Sequence, residues 1–254
     1  MPTGKPNYVI DAVIRTLDLL DAFLPSDKPE LSLAELAAKT GMNKNATFRS
    51  LFTLVQAGLI DKSEETGNYR LSLKLVELGR AAREGQQLPQ LARPLMQELW
   101  ERFQETVNLA MLHNNELVLV EVVECRQPLR LTETPGLIQP LHATALGKAV
   151  LSVMNEQERR KLVRQHAMTR FTDKTITEWP KLRKELEETK KRGWALDDEE
   201  NTLGGRCIAV PLTQKNQVVG GMSISGPVSR ITEEKIQEMA EEIKKRCQSL
   251  SLLL

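Results

Sequence analysis

The sequence predicts an α+β chain in two parts: a helical N-terminal part closed by a small hairpin, and a C-terminal part that mixes strands with helices. Three observations carry this. Apolar residues recur at helical spacing as far as Leu54. The stretch LIDKSEETGNYRLS then offers two short β-prone runs around a polar, glycine-containing turn. From TVNLAML onward, near-continuous apolar runs alternate with charged helical stretches.

Each element has its own warrant. Ile10, Val13, Ile14, Leu17 and Leu20 share a helical period, so 8–23 reads as an amphipathic helix ending near Pro25. In LSLAELAAKTG, Ser32 can cap, Glu35 stands where a capping box needs it, and Gly41 stops the helix. Only Met42 separates Gly41 from Asn43, the cap expected for a third helix. There Thr47, Leu51, Leu54 and Val55 share the side that packs on the first two helices, and Asn45, Ala46, Arg49 and Thr53 fall opposite. Three helices followed by a hairpin is the winged helix-turn-helix plan. LKLVELGRAAREGQQLPQLARPLMQELWERFQET continues as a helical connector with breaks expected at Gly79, Gly85 and Pro89. The expected divisions are therefore 1–78 for the winged domain, 79–92 for a linker helix and 93–254 for the second domain. In that domain TVNLAMLHNNELVLVEVVE reads as two strands about a turn at His113 to Glu116. HATALGKAVLSVM, NEQERRKLVRQH and TEWPKLRKELEETKKRG read as helices, RCIAVPLTQKNQVVGGMSISG as a hairpin, and ITEEKIQEMAEEIKKRCQSL as a closing helix capped by Thr232.

Composition narrows the classes of function. A chain of 254 residues, 41% hydrophobic and 27% charged, is of globular type and long enough for two cores. Its net charge of +1 favours no polyanionic partner by itself. Residues 1–85 carry eleven Lys and Arg against eleven Asp and Glu, so DNA affinity has to come from local placement. Three widely separated cysteines, without a CxxC pair, are the usage of a reducing cytoplasm. The first helix is interrupted by Asp11, Arg15, Asp18 and Asp21, unlike a signal peptide, and no apolar run approaches the roughly 20 residues of a membrane span. A cytoplasmic protein with no membrane association is expected.

The local placement lies in GMNKNATFRSLFTLVQAGLI, where the chain from Glu35 to Asp61 holds three basic residues and no acid between those two. A helix that enters the major groove has to present side chains able to bond base edges. Arg49 fits guanine O6 and N7, Asn45 fits adenine, and Thr53 or Ala46 fits a thymine methyl. Lys44 is placed to hold phosphate at the helix start, and Lys62 and Arg70 in the hairpin are placed for phosphate or the adjacent minor groove. Phe48 and Phe52 flank this face and are expected to pack against the hairpin or the first helix rather than touch DNA.

Enzyme motifs fit poorly. HATALGKA shares only its Gly-Lys with a phosphate loop, because His142 stands where the first Gly belongs and Ala149 where Ser or Thr must hold magnesium. GMSIS fails the nucleophile elbow at Ser225, and His113, His142 and His166 show no metal-ligand spacing. A thiol nucleophile made of Cys207 and His142 stays open if the two meet in the fold.

AVIRTLDLLDAF, LSLAELAAKTGMNKNATFRSLFTLVQAGLI and YRLSLKLVELG resemble the DNA-binding half of IclR-family transcriptional regulators. LHATALGKAVL, RGWALDDEENTLGGRCIAVPL and SISGPVSRIT resemble that family's effector domain, in the same order, so the resemblance covers nearly the whole chain. It implies a winged helix-turn-helix domain, a linker helix, a GAF-like α/β effector domain, and a homo-oligomer, either a dimer or a tetramer. It also implies a small metabolite, often a carboxylate, held by Ala145, Leu146 and Gly147, by Asp197, Gly205 and Cys207, and by Ser223 and Ser225. The residues fit this: Ala145 to Lys148 open a helix whose first amides receive an anion, and Ser223 and Ser225 share one face of a strand. No metal or other cofactor is implied. The expected protein is a metabolite-controlled repressor or activator that reads a palindromic operator in double-stranded DNA. The alternatives are an architectural DNA-binding oligomer without an effector, and a thiol-dependent enzyme with an appended DNA-binding domain.

Overall fold

A computed structural model describes residues 8–24, 26, 28–215 and 217–253, and divides into two compact units, Met1–Gly85 and Gln86–Leu254. The first unit holds α1 (Asp11–Asp21), α2 (Leu33–Thr40), α3 (Lys44–Gln56), the hairpin β1 (Ile60–Lys62) and β2 (Tyr69–Leu71), and α4 (Lys74–Glu84). The capping box forms as expected: Ser32 Oγ accepts from the Glu35 amide (3.3 Å) while a Glu35 oxygen accepts from the Ser32 amide (2.8 Å). Gly41 ends α2 in the left-handed region, at φ 68°, where a Cβ is disfavoured. Two residues on, Asn43 Oδ1 caps α3 by accepting from the Ala46 amide at 2.9 Å. Thr47, Leu51 and Leu54 point into a core made with Leu19, Leu31, Leu36, Ile60 and Tyr69.

Two expectations for this unit need correction. The first helix buries Leu19, which lies off the stripe that defined it; Ile10, Val13, Ile14 and Leu17 are 44–66% exposed. The helix thus has two apolar faces, and sequence periodicity picked out the one that this chain does not cover. Phe48 and Phe52 are 48% and 57% exposed, so neither packs fully against the hairpin or α1. On α3 they fall beside Asn45 and Arg49, away from Thr47, Leu51 and Leu54, which take the space next to the core. Pro25, the expected stop of the first helix, lies outside the described residues.

The second unit opens with α5 (Gln87–Phe103) and contains β3 (Thr106–His113), β4 (Glu116–Val123), α6 (Ala145–Val153), α7 (Glu156–Gln165), α8 (Trp179–Arg192), β5 (Ala195–Asp198), β6 (Gly205–Gln214), β7 (Gln217–Pro227) and α9 (Glu233–Leu253). The connector is therefore broken at Gly85 and Gln86, between α4 and α5. The five strands form one antiparallel sheet in the order β4-β3-β7-β6-β5. Asn114 and Asn115, both at positive φ (49° and 68°), make the tight β3–β4 turn that right-twisted hairpins favour. One sheet face packs on α5 and α9 through residues such as Val107, Leu109, Ile224 and Ile243. The other packs on α6 and α8 through Ala110, Leu119, Ala149 and Leu186, and the candidate cavity lies on this face. Asp197 sits on β5, an edge strand of four residues too short to show alternation in sequence.

Candidate functional site

In the first unit, the expected DNA-reading residues share the outer side of α3. Lys44, Asn45, Arg49 and Thr53 are exposed and Ala46 is half-buried. Asn43 is spent as the cap, which leaves Lys44 at the helix start beside amides that attract an anion. Thr53 already donates its hydroxyl to the Arg49 carbonyl (2.9 Å), so a thymine-methyl contact suits it better than a base hydrogen bond. On the hairpin, Lys62 is exposed and its ammonium stands 5.7 Å from the centre of the Tyr69 ring. Arg70 lies 3.7 Å from Asp61 and 3.8 Å from Glu30, so any phosphate contact requires exchanging these partners.

In the second unit, strand register builds a polar row across an otherwise apolar sheet. Asp197 on β5 is opposite Cys207 on β6, Cys207 is opposite Ser225 on β7, and Ser225 is opposite Thr106 on β3. One step along, Asn108 pairs with Ser223. Side chains two residues apart share a face, so Ser223, Ser225, Asn108, Cys207 and Asp197 meet in one cavity. The first residues of α6, Ala145 and Leu146, form its roof, and the loop after β4 supplies Glu133 and Gln139. Thr144 Oγ1 caps α6 by accepting from the Gly147 amide (3.0 Å) and donates to the Pro140 carbonyl (2.8 Å). The Ala145 and Leu146 amides are two of the helix's orphan donors and have no acceptor among the described residues. The room left between these groups is about 10 Å³, roughly one water, so a larger guest has to part the loop from the sheet.

Two of the expected residues do not line the cavity. A Cβ on Gly147 would meet the backbone of Leu141 at 2.5 Å, so that glycine serves close packing of α6 on the preceding turn. A Cβ on Gly205 would meet Leu131 and the Thr202 carbonyl at 3.2 Å, at the base of the covering loop.

The electrostatics are those of a buried acidic cluster. Two acids, Glu133 and Asp197, line the cavity, and no basic side chain does. Asp197 Oδ1 accepts from the amides of Glu200 (2.8 Å) and Asn201 (3.2 Å). Burial nevertheless pushes its carboxyl up to about 6, against the opposing pull of Lys148 and those amides. Lys148, fully buried, is ion-paired to Glu200, whose carboxyl burial also raises. Burial pushes the Cys207 thiol up as well, Asp197 adds to that, and Ser225 bonds the sulfur. His142 is tied to the Thr169 carbonyl (2.9 Å) and stacked on Phe171. A thiol held protonated and an imidazole already engaged are poor materials for a nucleophilic pair.

Sequence reasoning missed Asn108, Glu133, Gln139, Thr144 and Asn201, which also line the cavity. One signal was available: Asn108 is the single amide within TVNLAML, a strand otherwise free of strongly polar side chains beyond Thr106. It is 1% exposed, gives its Nδ2 to Ser225 (3.1 Å) and Ser223 (3.5 Å), and leaves its Oδ1 without a partner. Glu133 and Gln139 carried no such signal, because irregular loop residues reach a site only through tertiary folding.

Residues 12–64 match the family model for the IclR helix-turn-helix domain, and residues 81–252 match that for the C-terminal region of the bacterial transcriptional regulator IclR. The Transcriptional repressor IclR of Escherichia coli (strain K12) is 29% identical over 253 residues, 98% of this chain and 92% of that protein. The crystal structure of Thermotoga maritima IclR superposes with a TM-score of 0.71 at 29% identity, covering 96% of this chain and 98% of that one. An IclR homologue from Microbacterium hydrocarbonoxydans, solved in complex with 4-hydroxybenzoate, shares the fold at 20% identity and TM-score 0.77, over 95% and 98% of the two chains.

Proposed function

The chain belongs to the IclR family of DNA-binding transcriptional regulators, and on that premise we propose that a small carboxylate-bearing metabolite, bound beneath α6, controls its grip on a palindromic operator. The observation that carries the ligand half is the pair of amides at the start of α6, Ala145 and Leu146, which open onto the cavity with no acceptor among the described residues. Buried donors so placed cost stability unless something supplies an acceptor. The complex of a family member with 4-hydroxybenzoate supports a carboxylate-bearing ligand. The Ala145 and Leu146 amides and the Ser223 and Ser225 hydroxyls would hold the anion without a metal.

For the DNA half, Asn45 and Arg49 would read base edges, Ala46 and Thr53 would contact thymine methyls, and Lys44, Lys62 and Arg70 would hold phosphates. Two copies, paired through the exposed stripe of α1 and nearby connector residues, would place two α3 helices in successive major grooves. A ligand that favours one of two arrangements would change their spacing and so the operator affinity.

The experiment is selection of bound fragments from random DNA, followed by anisotropy with and without candidate carboxylates. A recurring palindrome bound at least about a thousandfold tighter than random sequence, with an affinity that a carboxylate alters, is expected. Weak, sequence-blind binding would remove the groove-reading assignment, and a ligand-insensitive palindrome would leave an architectural oligomer.

A further inference from the structure

The cavity lining holds two kinds of unspent hydrogen-bonding capacity. The donors are the Ala145 and Leu146 amides and the Ser223 hydroxyl, which accepts from Asn108 and keeps its own proton to give. The acceptors are Asn108 Oδ1, which has no partner, the Glu133 oxygen left over after Gln139 donates to its neighbour (3.2 Å), and Asp197 Oδ2. A plain carboxylate answers only the donors. It would leave the Asn108 oxygen buried and unpaired.

The acceptors are held in place. The loop bearing Glu133 and Gln139 is laced to the edge of β4: Gly136 N donates to Leu119 O (2.7 Å), Leu119 N to Leu137 O (2.8 Å), and Gln139 N to Leu117 O (2.7 Å). Asn108 is fixed from the other side by the two serines it donates to. These contacts set the position of Glu133 over the closed cavity, and a guest larger than water enters by loosening part of them.

We propose that this cavity selects a hydroxy acid, a small carboxylate that also carries hydroxyl groups, and that Glu133 and Asn108 are the residues that read the hydroxyls. The proposal rests on the cavity being the effector site and names the chemical class that fits it. A hydroxyl brings one proton and no charge, which suits a neutral amide oxygen and a half-buried carboxyl. An ammonium brings three protons and a charge, which Glu133 and Asp197 but not Asn108 would answer, and it is the competing occupant that the test includes. A site that has buried acceptors for a hydroxyl discriminates against the analogue lacking it, because the acceptors are then left bare.

The test uses the full chain and three acids of one length: glycerate with two hydroxyls, propionate with none, and alanine with an ammonium. Binding is read by calorimetric titration on the wild type, on Glu133→Leu and on Ser223→Ala, each first checked for a normal melting transition. Glu133 is a loop residue, so Glu133→Leu removes an acceptor without touching the sheet core. Expected is a preference of at least about tenfold for glycerate over propionate in the wild type, collapsing toward parity in Glu133→Leu while propionate binding holds. Equal binding of the two acids in the wild type, absence of glycerate binding, or a preference that survives Glu133→Leu would overturn the proposal. Alanine bound tighter than glycerate would overturn it in favour of an ammonium-binding site. Ser223→Ala separates the two levels of inference. If it weakens both acids equally while they remain unselected, the cavity stays the effector site and only hydroxyl selection fails; if it changes neither, the cavity assignment fails as well.

Discussion

Asp197 gives one oxygen to two backbone amides and feels the Lys148 ammonium, yet burial wins and its carboxyl stands at about 6 rather than at 3.8. A folded-state value raised above the unfolded one means that the native protein binds the proton more tightly. Its contribution to stability is then present at low pH and lost as pH rises from 3.8 through about 6. The size is at most about 3 kcal/mol for a shift of this magnitude. Asp197→Asn keeps an oxygen for the amides and cannot ionise. The wild type should therefore lose melting temperature relative to this variant across that window, and the two curves should run parallel above it. A constant difference over the whole range would show that folding leaves the Asp197 carboxyl at its unfolded value. Arg49 poses a question of selectivity rather than of charge state. It is exposed on the acid-free side of α3, so Arg49→Ala should cost about 1 to 3 kcal/mol on the selected operator and much less on random DNA, whereas Lys62→Ala should weaken both alike. Equal losses for Arg49→Ala, measured by anisotropy at fixed salt, would reassign it to phosphate.

At the level of elements, α6 is the piece on which the cavity depends, and Gly147 sets how closely it sits. The Cβ of Gly147→Ala would fall 2.5 Å from Leu141 backbone atoms, which cannot swing aside as a side chain can. The forced shift should cost about 1 to 3 kcal/mol, more than the ~1 kcal/mol of helix propensity that alanine returns. A lower melting temperature together with weaker binding by any cavity ligand is expected; a stabilised variant would show that the turn at Leu141 yields. This element also shows how far the sequence could be read. The caps at Ser32, Asn43 and Gly41, the buried side of α3 and the paired serines of β7 were legible because each is a local pattern, set by spacing along one helix or strand. The placement of Ala145, Leu146, Asp197 and Cys207 came from family resemblance. Glu133, Gln139 and Asn201 were not legible, because a loop reaches the site through long-range pairing that no local period records. The same limit explains Gly147 and Gly205, whose missing side chains make room for Leu141 and Leu131 rather than for a ligand. It also explains β5, whose four residues are too few to betray a strand.

For the whole molecule, the deciding quantity is what covers α1. Its stripe of Ile10, Val13, Ile14 and Leu17 is 44–66% exposed, while Leu19 on another side fills the core of the first unit. An apolar band along a helix that already has a buried face marks a surface for a partner, and pairing with a second copy of this chain is the arrangement proposed above. Ile14→Glu tests it with little risk to folding, because a residue 47% exposed contributes little to its own unit and such surface changes usually stay within about 0.5 kcal/mol. If the stripe joins two copies, the variant should sediment as a smaller species than the wild type at equal concentration. Its affinity for an isolated half-site should match that of the wild type, since α3 is untouched. Affinity for the full palindrome should fall by about a hundredfold or more, because the second recognition helix no longer binds at the high effective concentration that linkage provides. Unchanged sedimentation with unchanged palindrome affinity would place the pairing surface elsewhere. A smaller species that still bound the palindrome at full strength would mean that the two half-sites are read independently, and a ligand that alters the spacing of the α3 helices would then have nothing to act on.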